Sequence, residues 1–282
     1  CLCMMICYTH AYIFRLGQIV PNTHITHYTL QLVGKVNLCG GKKCGMEESK
    51  KDPPFTVTLE GSVGVGKSKF LNFLKTNRDM VGVTFLDETL EHWENFHGKN
   101  LIEMFYADPA QFAFTFQNYA LLSMIERQLP SENSEIRIME RSPLSSLIIF
   151  ADIMVQNGHI SEVQREILQD WYNMFNKNKF VNLDIDAHIY IKAPVNVALD
   201  RIAFRNRTGE QNLTELYAQQ LETAHENWLL QKSKENFDID HHCKVFVLNG
   251  AKTGRDIVKE YVKAINWIKA KKMQRDGIWL KE

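Results

Sequence analysis

A surplus of either charge is missing from this sequence. Lysine and arginine number 33, aspartate and glutamate also 33, so the formal net charge is zero. No broad positive field draws nucleic acid or an anionic membrane to the chain, and neither is expected as a partner. Cysteine is nearly absent beyond residue 45. Cys1, Cys3, Cys7, Cys39 and Cys44 crowd the front, and Cys243 stands alone in the rest. One thiol builds neither a disulfide framework nor a cysteine zinc site, so the body reads as reduced and intracellular, with Cys243 a small buried hydrophobe. Also missing are an apolar run long enough to span a bilayer, a Gly/Ser linker and an internal repeat.

The first 45 residues contain no acid, and Arg15 is the only lysine or arginine before Lys35. A secretory leader would need a basic start, and a mitochondrial presequence would be rich in arginine, although the missing acids suit one. No folded domain is expected in 1–45. The stretch reads as an N-terminal extension, disordered or an artefact of the gene model with Met46 as the natural start, ahead of a folded part at 46–282.

From Phe55 onward, short apolar runs alternate with helical patterns. Strands are expected at 55–60 (FTVTLE), 81–86 (VGVTFL), 136–139, 187–192 (AHIYIK) and 244–248 (KVFVL). Helices are expected at 67–76, from Pro109 to about Gln128 with Pro130 as the stop, at 143–156, 161–176, from Pro194 to about Phe204, up to Leu230, and at 254–270. Asp108 and Pro109 suit a helix start as cap and first-turn residue. Strands separated by helices predict an α/β fold with a five-stranded parallel sheet flanked by helices on both faces.

Residues 61–68 read Gly61-Ser62-Val63-Gly64-Val65-Gly66-Lys67-Ser68, a GxxxxGKS phosphate loop between a strand and a helix. Glycines let successive amides curl around phosphate oxygens, and the helix N-terminus adds positive dipole. Lys67 reaches the terminal phosphates and Ser68 suits Mg2+. The motif implies nucleoside triphosphate binding without fixing the reaction. A kinase needs an acceptor hydroxyl in line with the γ-phosphate, a base and cations for the developing charge. Glu88 follows the second strand, and Glu140-Arg141-Ser142 closes the third, both at carboxyl ends where ligands bind in open α/β sheets. Arg201 and Arg205 share a helical face by their i, i+4 spacing, with Arg207 just beyond, as a cationic lid requires.

Together these residues resemble the deoxyribonucleoside kinases, the group of deoxycytidine, deoxyguanosine, mitochondrial-type thymidine and insect multisubstrate kinases. The resemblance rests on GSVGVGKS, Glu88 with Trp93 five residues on, FTFQNYA at 114–120, MERS at 139–142, RIAFRNRTGEQ at 201–211 and HENWL at 225–229. It runs from about Phe55 to Leu230 and implies an Arg-rich lid on a P-loop kinase domain at 46–282. The implied reaction is transfer of the γ-phosphate of ATP to the 5′-hydroxyl of a deoxynucleoside in nucleotide salvage. By the same resemblance, Glu88 is the base, Arg141 holds the hydroxyl and the reacting phosphate, and Glu140 joins Ser68 at Mg2+. Tyr106 and Glu210 grip the 3′-hydroxyl, and Gln117 reads the base edge. Trp93, Phe116 and Phe150 wall the base, although ordinary core packing competes for all three and is the better reading of Phe116 taken by itself. Arg201, Arg205 and Arg207 form the lid, and 248–253 is placed at the donor adenine.

The deoxycytidine kinase pattern carries an arginine and an aspartate where this chain has Met124 and Ser146. That makes the pocket more apolar and predicts thymidine and deoxycytidine as acceptors. Rival readings are a thymidylate-type nucleoside monophosphate kinase, a triphosphate-driven switch and a catalytically silent structural subunit. The intact loop argues against decay, and a switch gives no reason for Gln117, Tyr106 and Glu210. The resemblance also implies a homodimer packed through helices, with the apolar faces of 143–156 and 161–176 as candidates. Cytoplasmic location is expected, with mitochondrial as the alternative.

Overall fold

Thr and apolar residues alternate along β1 (Phe55–Glu60), yet all six are buried. The two faces of the strand explain this. Phe55, Val57 and Leu59 enter an apolar core with Phe70, Leu71 and Leu74 of α1 (Lys67–Thr76). The opposite side chains are polar and find polar partners: Thr58 Oγ1 lies 2.6 Å from His188 Nδ1, and Glu60 Oε1 accepts from Ser142 Oγ at 2.9 Å. A strand buried on both sides must lie inside a covered sheet. The computed structural model, which describes residues 52–129, 134–177, 181–231 and 243–278, places β1 at its centre. The expectations for 1–45 and for Pro130 lie outside the described residues.

The remaining strands are β2 (Val83–Leu86), β3 (Ile136–Glu140), β4 (Ala187–Lys192) and β5 (Lys244–Asn249). The sheet is five-stranded, in the order β2-β3-β1-β4-β5, and all four pairings are parallel. The expected α/β sheet is therefore present. Between the strands come α2 (Leu90–Glu94), α3 (Leu101–Ala107) and α4 (Pro109–Glu126). After β3 follows α5, which opens at Pro143–Ser145, passes through a π-helical stretch at Ser146–Ala151 and resumes at Asp152–Gln156. Then come α6 (Glu162–Lys177), α7 (Val195–Arg205), α8 (Glu215–Leu229) and α9 (Gly254–Arg275). α9 packs Tyr261, Ala264, Ile265 and Ile268 into the β1–α1 core, while α4, α5 and α6 share a second core built on Leu121, Leu147, Leu168 and Tyr172.

Asp108 caps α4 as expected, its carboxylate accepting from Gln111 N at 3.1 Å. Several boundaries differ from the sequence expectation. β2 starts at Val83 because a 3-10 turn at Arg78–Met80 and a left-handed Gly82 (φ 80°) leave Val81 in solvent. The helix expected over 143–156 is interrupted by its π stretch, and α9 runs five residues past Ala270, to Arg275. Cys243 is half-buried rather than buried: it stands at the entry to edge strand β5, where its Sγ donates to Ile185 O at 2.7 Å. Among the described residues, no helix is long and apolar enough to cross a membrane.

Candidate active site

The loop between β1 and α1 is shaped by contacts that leave no room for side chains. A Cβ on Gly61 (φ 141°) would sit 2.4 Å from Ile191 O, and one on Gly64 (φ 80°) 2.5 Å from Ala198 O. A side chain at either would force the loop away from β4 or α7. Buried Lys67 folds back along it, donating from Nζ to Gly61 O at 3.1 Å and Ser62 O at 2.7 Å. Burial and neighbouring Arg141 pull its pKa to about 8, while Glu140, Glu88 and Glu60 oppose the shift, so the ammonium is largely retained at neutral pH.

The carboxyl ends of β2 and β3 bring the charged residues to this loop. Glu88 lies two residues past β2, Glu140 ends β3, and Arg141 follows in a left-handed conformation (φ 59°). Arg141 Nε donates to Glu88 Oε1 at 2.7 Å, and Nη1 donates to Gly61 O at 3.1 Å. The guanidinium carbon lies 4.6 Å from the Phe150 ring centroid. Burial alone would raise the Glu88 pKa, but the cations of Arg141, Lys67 and Arg127 outweigh it and hold the carboxyl below its usual range. Glu140 shifts the other way, raised by burial and then by the Glu88 charge. Two neighbouring carboxyls pushed apart in pKa are suited to different tasks.

Ser68 Oγ donates to Glu140 Oε1 at 2.9 Å. This hydroxyl and carboxylate form an all-oxygen donor pair beside the phosphate loop, which fits a hard cation that takes few protein ligands and completes its shell with phosphates and water. Among the described residues, no cluster of three or more His, Cys, Asp or Glu offers an all-protein metal cage.

Beside these groups opens a cavity of about 360 Å³ with one end at the phosphate loop and the other between α2, α3, α4 and the π stretch of α5. Gln117 and Met124 line it from α4, Trp93 from α2, Tyr106 from α3, and Ser146 and Phe150 from α5. Trp93 meets Phe116 edge-on at 5.5 Å, and Phe116 stacks on Phe105 at 5.2 Å. Ser123 fixes the tryptophan by accepting from its Nε1 at 2.9 Å. Ser146 Oγ donates to Gln117 Oε1 at 3.3 Å, which orients the buried amide. A π stretch at such a place is common at functional sites, because the extra residue per turn re-aims side chains.

The arginines after β4 line the same cavity but are engaged with protein groups. Arg201 bridges Val65 O at 3.2 Å and Gly250 O at 2.9 Å. Arg205 grips buried Glu210 through Nη2 at 2.7 Å to Oε1, and Arg207 Nη1 reaches the same oxygen at 3.2 Å. Tyr106 lies near enough to Glu210 that this charge, after burial, raises its pKa.

The cavity thus gathers every residue expected in the catalytic, metal, lid and nucleoside roles together with Val63–Ser68. Gly61 and Ser62, at the start of the loop, instead accept from Lys67, and of the expected donor segment 248–253 Gly250 and Lys252 line it. Sequence reasoning missed Leu90, Ile102 and Phe105, which lie in the stretch left unassigned before Asp108, and Tyr217 of α8. It also missed Arg127, the residue just after α4, whose guanidinium serves other elements. A dense aromatic and apolar pattern at 101–106 (LIEMFY) was the signal for Ile102 and Phe105. Arg127 left no signal, because an arginine at a helix end is ordinary.

Comparison with known proteins agrees with this geometry. A sequence profile described as deoxynucleoside kinase matches residues 57–266. Human deoxycytidine kinase is 30% identical over 232 residues, covering 74% of this chain and 88% of the relative. The mouse deoxycytidine kinase is 32% identical, covering 68% of this chain and 82% of the relative. Human mitochondrial thymidine kinase 2 is 27% identical, covering 66% and 69%. With its intact phosphate loop and parallel sheet, this chain belongs to the deoxynucleoside kinase family, enzymes that transfer phosphate from ATP to a hydroxyl group.

Proposed function

We propose that this chain phosphorylates the 5′-hydroxyl of thymidine and deoxycytidine, with 46–282 as the domain that does so. The observation that carries the reading is the Glu88–Arg141 pair at 2.7 Å, set between the phosphate loop and the Gln117 pocket. In this reading Glu88 takes the proton of the 5′-hydroxyl as that oxygen attacks the γ-phosphorus and the bond to ADP breaks. Arg141 steadies the same hydroxyl and the transferring group. Lys67 and the loop amides hold the terminal phosphates, and Ser68 and Glu140 hold Mg2+. The ion, when bound, neutralises phosphate charge. Tyr106 and Glu210 hold the 3′-hydroxyl. Glu210 is already gripped by Arg205 and Arg207, so sugar binding and the lid are coupled through one carboxylate.

The relatives named deoxycytidine kinase and thymidine kinase 2 support the two acceptors. So does the pocket. Gln117 can donate and accept at once, as a pyrimidine edge demands. Buried Met124 leaves an apolar wall where a thymine methyl gains roughly 1 kcal/mol. A phosphorylation panel of the four natural deoxynucleosides and thymidylate tests the reading. The expected products are nucleoside monophosphates, thymidine and deoxycytidine leading; turnover of thymidylate alone would favour the monophosphate kinase. Gln117→Ala should raise the KM for both pyrimidine nucleosides by about 10-fold or more while the KM for ATP stays put, since only the base loses its hydrogen bonds. An equal rise in both would make Gln117 structural.

The active species is a homodimer in this reading. α6 exposes Val163 (65%), Ile167 (42%), Trp171 (37%) and Met174 (40%) at positions that share one helical stripe. Ile167→Asp should shift the mass measured by light scattering from dimer to monomer; an unchanged dimer moves the interface elsewhere. A reduced compartment, cytoplasmic or mitochondrial, fits a body whose only cysteine is Cys243.

A further inference from the structure

α4 ends at Glu126, and the next residue turns its guanidinium away from its own helix. An arginine at a helix C-terminus ordinarily serves that helix's last carbonyls and dipole. Arg127 instead donates to Asp87 O, to Glu140 O at 2.7 Å and to Arg141 O at 2.6 Å. Asp87 precedes Glu88, and Glu140 and Arg141 close β3. One planar fork therefore joins the carboxyl ends of two neighbouring strands, next to both members of the Glu88–Arg141 pair.

The strands do not supply this tie themselves. The β2–β3 register ends at Leu86 opposite Met139, so beyond it the two tails have no ladder pairing with each other, the β3 tail pairing only with β1 through Glu140 and Leu59. The Arg141 backbone is also in a left-handed conformation (φ 59°) that a residue with a Cβ rarely adopts. It is held from both ends: Arg141 N donates to Leu59 O at 3.0 Å, and Arg141 O accepts from Arg127. Arg127 is half-buried, with the inner part of its guanidinium turned in. Its Nε is buried without a hydrogen-bond partner among the described residues, and desolvation pulls its pKa to about 10 against the attraction of Glu88, Glu140, Glu60 and Asp87. A cation so placed, whose acceptors are main-chain carbonyls on other elements, fits a positioning task better than a stabilising one.

We propose that Arg127 is a positioning residue which, by tying the main chain at Asp87 to that at Glu140 and Arg141, sets the 2.7 Å Glu88–Arg141 pair for phosphoryl transfer. The proposal rests on Glu88 being the base. It acts on the chemical step, because misplacing a reacting group by about 1 Å is enough to cost ~10²-fold in rate.

The test is a double-mutant cycle on the full chain, with kcat normalised to folded protein. Arg127→Met should lower kcat by ~10²-fold with the KM for ATP within about 2-fold, whereas in a Glu88→Gln background it should remove less than about 3-fold more. Arg127→Lys keeps the charge but not the fork, so its kcat should lie between the two, and it runs the same cycle should Arg127→Met fail to fold. Equal fold losses with and without Glu88, or wild-type kcat per folded molecule, would overturn the positioning role alone. Wild-type turnover in Glu88→Gln by itself would overturn the base assignment, and the proposal with it.

Discussion

Glu88→Gln is expected to keep the fold and lose at least ~10²-fold in turnover, the usual contribution of a general base. The amide has the same shape and still accepts from Arg141, so neither the ion-pair site nor the pocket collapses; what disappears is the ability to take a proton. The carboxyl is already in the ionised form that the task needs. Its pKa is held below the ordinary carboxylate range because Arg141, Lys67 and Arg127 together outweigh burial. It is therefore ionised throughout the neutral range, and the acid limb of the wild-type kcat/KM profile, as far as it belongs to Glu88, should lie below the ordinary range and vanish in the variant. The same shift links to stability. A depressed folded-state pKa adds stability that is present above the unfolded carboxyl's value and lost as pH falls through the folded one. Steady-state turnover with saturating ATP and thymidine, alongside circular dichroism, decides the matter. Turnover near wild type would remove Glu88 from the role.

Lys67→Met should be comparably severe, with a loss of about 10²–10³-fold in turnover and weakened ATP binding, as expected when a preorganised cation is taken from a developing negative charge. Methionine fills nearly the same slot along the loop. Removing this one buried cation leaves Glu140, Glu88 and Glu60 with less compensation, a loss that the relieved burial of the ammonium offsets only in part. Thermal unfolding should consequently come earlier, the carbonyls of Gly61 and Ser62 also losing their donor, so turnover is compared per folded molecule. ATP titration by calorimetry together with turnover separates the outcomes. A variant that binds ATP normally and turns over normally would show that Lys67 serves only to close the loop on itself.

The sequence makes β1, α1 and β4 legible to the residue because each is short, strongly patterned and bounded by punctuation, Gly61 and Gly66-Lys67 above all. The phosphate loop and the residues after β2 and β3 are legible for a related reason: chemistry at strand ends follows from parallel topology. What stays hidden depends on contacts between distant segments. The left-handed Gly82 shortens β2, and the packing of α5 makes a π stretch out of an ordinary helical pattern. No spacing rule shows that Ser146 donates to Gln117. Arg127 is the clearest case, since its partners lie on two other elements and are main-chain atoms, which carry no sequence signature at all.

The most direct test is a structure of the protein with thymidine and ADP bound. The account predicts ADP phosphates wrapped by residues 61–68 and the thymidine 5′-oxygen within about 2.6–3.2 Å of a Glu88 oxygen, the reach of a general base. Thymidine bound with its 5′-oxygen far from Glu88, or outside the Gln117 pocket, would contradict it.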